Sequence, residues 1–364
     1  MYKYMTQNKI KFSNLNKDFI VELRENVKKY FENKNVSKYG NTNLHLKALL
    51  MIGMYTIPYV LMLSGIASTV QLIMMCWALM GFGMAGLGMV LMHDANHGSY
   101  SENLKVNSWM SKSLYILGGF PPNWQHQHNT LHHGFTNIDG YDEDIEPAGI
   151  LRFSPHQPLH KIHKFQYIYA WFLYCLMTLS WVTLKDFTRL NKYRKMEVPL
   201  RSNKTYKRLF IELFFSKVLY YISFLILPLI LVPVSWYWIV IGFLFMHFIS
   251  GFILSVIFQT AHVVPESSYP LPDENGTIDY NWAILQLQTT SDYSPNSRIF
   301  SWFIGGLNYQ VEHHLFPNIS HVHYKSISSI VKDTAIKHNL PYHVNSNFIM
   351  ALSKHIKMLK QLGR

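Results

Sequence analysis

The chain has 364 residues, a formal net charge of +12, 49% hydrophobic residues and only 15% charged ones. Its length alone would suit two soluble domains, but residues 48–92, 165–184 and 218–265 contain no Asp, Glu, Lys or Arg. Soluble helices keep a charged face and a bilayer needs about 20 apolar residues per helical span, so a water-soluble globule is excluded. Cys76 and Cys175 both lie inside the uncharged runs, which removes a disulfide framework, a thiolate zinc site and an iron–sulfur ligand set. Histidine is the overrepresented residue, with 19 copies against 21 for Asp and Glu together.

Residues 1–47 form a polar segment with ten Lys/Arg against four acidic residues and no apolar h-region. No cleavable signal is expected there, and the positive-inside rule puts it in the cytoplasm. Residues 48–92 are long enough for two spans that turn at Leu63-Ser64-Gly65-Ile66-Ala67-Ser68. Residues 93–217 then return to the cytoplasm. Within them, 165–184 could span, but a crossing would carry the ten Lys/Arg of 185–217 outside. That segment is therefore expected as an interfacial or re-entrant helix. Residues 218–260 make a second hairpin around Pro228, Pro233 and Trp236-Tyr237-Trp238, with helices near 210–232 and 236–260, and 261–364 follow as a cytoplasmic region. The expected fold is an all-α integral membrane protein: four transmembrane helices in two hairpins, a helical cytoplasmic cap and an interfacial helix, with both termini cytoplasmic. Cations flanking spans fix topology and meet anionic lipid headgroups. No basic domain interleaved with aromatics is present, so no nucleic-acid partner is expected.

Three histidine clusters adjoin the uncharged runs. In His93-Asp-Ala-Asn-His97, i, i+4 spacing puts two imidazoles on one helix face about 5–6 Å apart, a metal-ligand spacing that also arises by chance. In His128-Asn-Thr-Leu-His132-His133, an adjacent histidine points about 100° round an α-helix, which can feed two metals or two faces of one site. The third is Gln310-Val-Glu-His313-His314. Each alone reads first as polar loop histidines; three on one side of a membrane do not. His262 falls at the end of the last span, open between an interfacial residue and a ligand. Eight imidazoles without cysteine exceed the four ligands of a structural zinc and suggest two metals with a free face. Nitrogen ligands leave iron, zinc, copper and nickel open. Iron is attractive because the C–H bonds of lipid chains need an oxygen-derived oxidant, which redox-inert zinc cannot make.

HDANH, HNTLHH and QVEHH, in this order, resemble the three histidine boxes of the membrane fatty-acid desaturases. GYDEDIEP after the second box and HHLFPNISHVHY from the third resemble bacterial acyl desaturases with a glutamine-type third box. The resemblance runs from about residue 45 to 340. It implies a nonhaem diiron enzyme that uses O2 and two electrons to insert a cis double bond into an acyl chain, carried as acyl-CoA or acyl-lipid, with its site on the cytoplasmic face of a bacterial inner membrane. The iron ligands it implies are His93, His97, His128, His132, His133, His262, His313 and His314. Gln310 stands where many members have histidine, as a weak oxygen ligand or a group behind the ligands. Residues 1–47 contain no haem-binding His-Pro-Gly-Gly sequence, so the expected electron donor is a separate ferredoxin or cytochrome.

Asp142 and Asp144 read either as a solvated acidic loop or as acceptors for the far N–H of ligand imidazoles; Asp94 and Asn96 have the same second role open to them. No general base is assigned beyond the metal ligands. The small residues Gly81, Gly83, Gly86 and Gly88 read first as close helix packing and second as a narrow wall beside an acyl chain. A hydroxylase of the same superfamily is the alternative activity. A haem electron carrier would need histidines paired within the spans, where His247 stands alone. A zinc transporter would need ionisable residues along them.

Overall fold

In a bilayer an apolar stretch must bond its own backbone, and the helix is how a single segment does so. The structure is a computed structural model that describes residues 10–147 and 149–364. An amphipathic helix α1 (Lys17–Lys34) precedes four helices long and apolar enough to cross a membrane: α2 (Thr42–Leu63), α3 (Val70–His97), α4 (Tyr206–Leu231) and α5 (Trp236–His262). Then come α6 (Trp282–Thr289), α7 (Gln310–Leu315), α8 (Tyr324–Lys337) and α9 (Phe348–Leu362). Among the described residues, strand structure is limited to two short parallel pairs: β1 (Lys11–Phe12) with β2 (Thr277–Ile278), and β3 (Asp292–Tyr293) with β4 (Val344–Asn345). The chain is an all-α integral membrane protein. The segment expected to be interfacial or re-entrant is broken: Lys161–Cys175 and Met177–Lys195 meet at 57°.

The starts of the spans are written locally. Asn41 accepts the Leu44 N–H at 3.2 Å and Thr69 the Leu72 N–H at 3.3 Å, each relieving an orphan donor of a first turn. Thr205 does the same for Arg208 at the start of α4.

Two compact units are distinguished. One comprises the chain up to Gly40, His126–Ala170 and Ile257–Arg364; the other comprises Asn41–Gln125 and Trp171–Val256. In the second unit, α3 is the inner helix, 72% of its apolar window buried against 33% for α2 and 28% for α4. Leu49 and Ile57 on α2 and Phe215 and Ile230 on α4 stay exposed, as lipid-facing side chains do. Small residues let the backbones close: a Cβ on Gly83 would lie 2.6 Å from Tyr55 N, and one on Gly81 2.9 Å from Met246 O. Packing is thus the role of that stretch at these two positions. Lys217, counted above among the topology-setting cations, departs from that role. It is buried, and its ammonium donates to Asp186 at 2.6 Å and to the Trp181 carbonyl at 2.8 Å.

The first unit is built round a conventional core. Phe19, Leu23 and Val27 recur at helical spacing on α1 and pack with Ile327, Val331 and Ala335 of α8 and with Tyr309, Val311 and Leu315 around α7. Each such fully buried side chain contributes about 1.5–3 kcal/mol. That core supports the short helix carrying the third histidine cluster.

Candidate metal centre

The second histidine cluster lies on a π-helix, Gln125–His132, not on the α-helix assumed from its spacing. The wider turn changes which side chains align. The His133 N–H bonds the His128 carbonyl at 3.0 Å, and the Nε2 atoms of these two imidazoles approach to 3.3 Å. An adjacent-residue angle of 100° is therefore replaced by an i, i+5 pairing. A second π turn, Gly88–Met92, runs into the first cluster.

Six of the predicted histidines meet in the first unit, all buried: His128, His132, His133, His262, His313 and His314. Ligand atoms of His132, His262 and His314 lie within 4.8 Å of one another, as do those of His133, His313 and His314. Two triplets thus share His314. His128, His132 and Asp144 form a further group of this kind.

What the outer nitrogens do decides the chemistry. His132 Nδ1 lies 3.0 and 3.2 Å from the two oxygens of Asp142. His314 Nδ1 lies 2.8 Å from Gln286 Oε1, and His262 Nδ1 3.3 Å from the Thr289 carbonyl. Each partner can only accept, so each imidazole carries its proton on Nδ1 and turns the Nε2 lone pair inward. His262 Nε2 is buried with no hydrogen-bond partner among the described residues, and His132 Nε2 and His314 Nε2 stand 3.2 Å apart. Three imidazole nitrogens converging in a buried place suit a cation well. His313 Nδ1 contacts the Tyr324 hydroxyl at 3.1 Å, and His128 Nδ1 lies 3.6 Å from Asp144.

The electrostatics agree. Burial works against charge on His132, but the Asp142 carboxylate and its hydrogen bond, with Asp144 adding, outweigh it and raise the pKa. A field that favours a proton there also favours a metal cation at Nε2. Asp142 is itself fully buried and accepts the backbone N–H groups of Asn137 and Asp144 at 2.9 and 3.0 Å. The solvated-loop reading of Asp142 is therefore incorrect. Asp144 receives the side-chain amide of Gln127.

His93 and His97 belong to the second unit, where they face each other with ring centroids 4.7 Å apart and Trp124 within 6.0 and 5.7 Å. Asp94 lies 3.8 Å from His93 Nδ1, beyond hydrogen-bond length. Asn96 donates to the Met92 carbonyl and accepts from Gln125 at 3.0 Å. Gln310 donates to the Leu307 carbonyl at 2.7 Å, and its Oε1 is buried with no hydrogen-bond partner among the described residues.

Gln286 and Thr289 escape sequence reasoning because they reach their histidines from α6, with no motif to mark them, and Tyr324 closes the HHLFPNISHVHY string without anything there to give its contact with His313. Behind the third cluster lies another unanticipated group. Asp292 and Glu312 are both fully buried, and the Tyr342 hydroxyl contacts both carboxyls. Burial raises both carboxyl pKa values, Glu312 the further because Asp292 adds its charge.

The fatty acid desaturase family model matches residues 68–346. The chain is 34% identical over 351 residues to an acyl-lipid (8-3)-desaturase of Physcomitrium patens, covering 96% of this chain and 72% of that one. It is 33% identical to an sn-1 linoleoyl-lipid 6-desaturase of Arthrospira platensis, over 95% and 92% of the two chains. With the enzyme of the same name from Synechocystis sp. the identity is 31%, over 99% of both. Spans, histidine clusters and these relatives agree: the chain belongs to the fatty acid desaturase family and is an oxidoreductase that desaturates fatty acyl chains.

Proposed function

We propose that the chain is an acyl-lipid desaturase with two nonhaem irons, O2 as co-substrate and electrons from a separate ferredoxin or cytochrome. The observation that carries this reading is the set of Nδ1 partners, Asp142, Gln286 and the Thr289 carbonyl, which turn three Nε2 atoms inward. Redox-active metals suit such an all-nitrogen set. His128, His132, His133, His262, His313 and His314 would hold the irons. His93 and His97 complete the ligand set in this proposal, their pair already at ligand spacing. Gln310 Oε1 is a candidate oxygen donor. Relatives that match along nearly their whole length are named for lipid-linked substrates, which favours acyl-lipid over acyl-CoA.

Bound iron supplies what side chains lack, the reduction of dioxygen to an oxidant able to remove hydrogen from a methylene. The protein's part is positioning. Asp142 and Gln286 keep their imidazoles in one tautomer and orientation throughout. Burial excludes water, and holding one C–C bond at a fixed depth selects where the double bond forms. One O2, two electrons and two protons become two waters as the chain loses two hydrogens.

Hairpins at 48–92 and 218–260, cytoplasmic regions at 1–47, 93–217 and 261–364, and 165–184 in the interface make up the proposed topology, in a bacterial inner membrane. The cations of 1–47 and 185–208 support it. Expression in a host fed defined fatty acids, with lipid classes separated before mass analysis, tests the proposal together with metal analysis of the purified protein. The expected result is a new double bond in esterified chains and about two irons per chain. Added oxygen in place of lost hydrogen, product confined to the acyl-CoA pool, or zinc in place of iron would each overturn it.

A further inference from the structure

We propose that Asp292 and Tyr342 are positioning residues for the metal centre, fixing the rotation of α7 so that His313 and His314 meet their metal. The inference rests on reading those two histidines as ligands. α7 has only six residues, too few to be stable by itself, and its N-cap residue Tyr309 provides no side-chain cap. Asp292 supplies one from a distant segment: its Oδ1 accepts the Val311 N–H at 2.9 Å.

Asp292 is in turn fixed by its own backbone. It lies in β3, where its N–H bonds the His343 carbonyl at 2.9 Å while Ser294 bonds the Asn345 carbonyl at 3.0 Å. Tyr342, one residue before His343, spans the gap: its hydroxyl lies 2.7 Å from Asp292 Oδ2 and 2.9 Å from Glu312 Oε1. α7 is thus held at the Val311 backbone and at the Glu312 side chain. Successive residues of a helix are about 100° apart, so pinning Glu312 sets the directions of His313 and His314.

Stability alone does not call for this arrangement. Two fully buried carboxyls carry a desolvation cost, and packed apolar residues of equal volume are often at least as stable. What polar groups add is directional registry, which apolar packing lacks. Groups that orient metal ligands typically change metal affinity about 10–100-fold when removed.

The test measures iron bound per chain over graded ferrous iron, alongside the thermal unfolding midpoint, on full-length protein purified from membranes. Asp292→Ala and Tyr342→Phe are expected to weaken iron binding about 10–100-fold. Asp292→Asn retains an oxygen for Val311 and can bond Glu312, so it is expected to bind iron within a few-fold of the unaltered protein. Leu359→Ala, a truncation of a buried side chain on α9, in the same unit but outside the core beneath α7, is expected to lower the midpoint while iron affinity holds. Normal affinity in Asp292→Ala would overturn the proposal. So would equal iron loss in Leu359→Ala at matched midpoint, which would mark Asp292 as merely structural. His313→Ala separates the underlying reading: unchanged iron binding there would remove the ligand assignment itself, whereas loss there with retention in Asp292→Ala would defeat the positioning proposal alone.

Discussion

His247 in the second unit and His262 in the first are both fully buried, and both lie on α5. At His247 both ring nitrogens are occupied: Nε2 meets the Tyr220 hydroxyl and Nδ1 the Thr178 hydroxyl, each at 3.1 Å. At His262 one nitrogen is held by a carbonyl and the other has no hydrogen-bond partner among the described residues. The same residue type on the same helix is therefore a crosslink in one place and, in our proposal, a metal ligand in the other. The distinction is not burial, which they share, but how many of the two nitrogens the protein satisfies. Two hydroxyls, which donate as readily as they accept, suit a structural histidine; an acceptor-only partner on one side directs a lone pair.

The largest effect should come at His314, the member common to both triplets. His314→Ala is expected to leave the protein in the membrane with no detectable desaturated product and reduced iron; preserved product would break the comparison at its centre. Asp142→Asn comes next. A carboxamide can offer His132 an N–H where a carboxylate can only accept, so iron affinity and turnover are expected to fall about 10–100-fold. Gln286→Leu removes a neutral acceptor rather than a charged one, and its loss should lie near the lower end of that range, read by the same metal titration. The smallest effect on chemistry belongs to His247→Phe. It removes the ring partner of the Tyr220 and Thr178 hydroxyls in the second unit, although Thr178 keeps its bond to the residue 247 carbonyl, at a cost of about 1–3 kcal/mol, lowering the unfolding midpoint while product per folded chain stays unchanged. If His247→Phe lost iron as Asp142→Asn does, satisfied nitrogens would not be the criterion that separates the two histidines.

The parts of this molecule legible in its sequence are those governed by short-range rules. Charge-free runs mark α2 to α5 because a bilayer imposes a length, and the histidine clusters stand out by spacing. The π-helical register of His128–His133 was not legible, since an i, i+5 backbone pattern leaves no trace in a list of residue types. Nor were Gln286, Asp292 or Tyr342, which are ordinary polar residues until folding sets each beside a histidine or the helix that carries it; Tyr324 stands out as the end of HHLFPNISHVHY, but its contact with His313 does not. Lys217 shows the opposite error: a cation at the edge of an uncharged run looks like a topology signal, yet its neighbours Asp186 and Trp181 draw it inside.

The contacts among the histidines differ in how much chain they enclose. His128 and His133 are separated by five residues and joined by a backbone hydrogen bond, so their proximity comes with the local helix. His132 and His314 are separated by 182, and closing a loop of that size costs roughly 3 kcal/mol more chain entropy than closing one of five. A cation that holds His132 and His314 together therefore acts as a crosslink across half the polypeptide, binding the folded first unit far better than an unfolded chain. Iron supply would then govern how long the enzyme survives in the membrane as well as how fast it works.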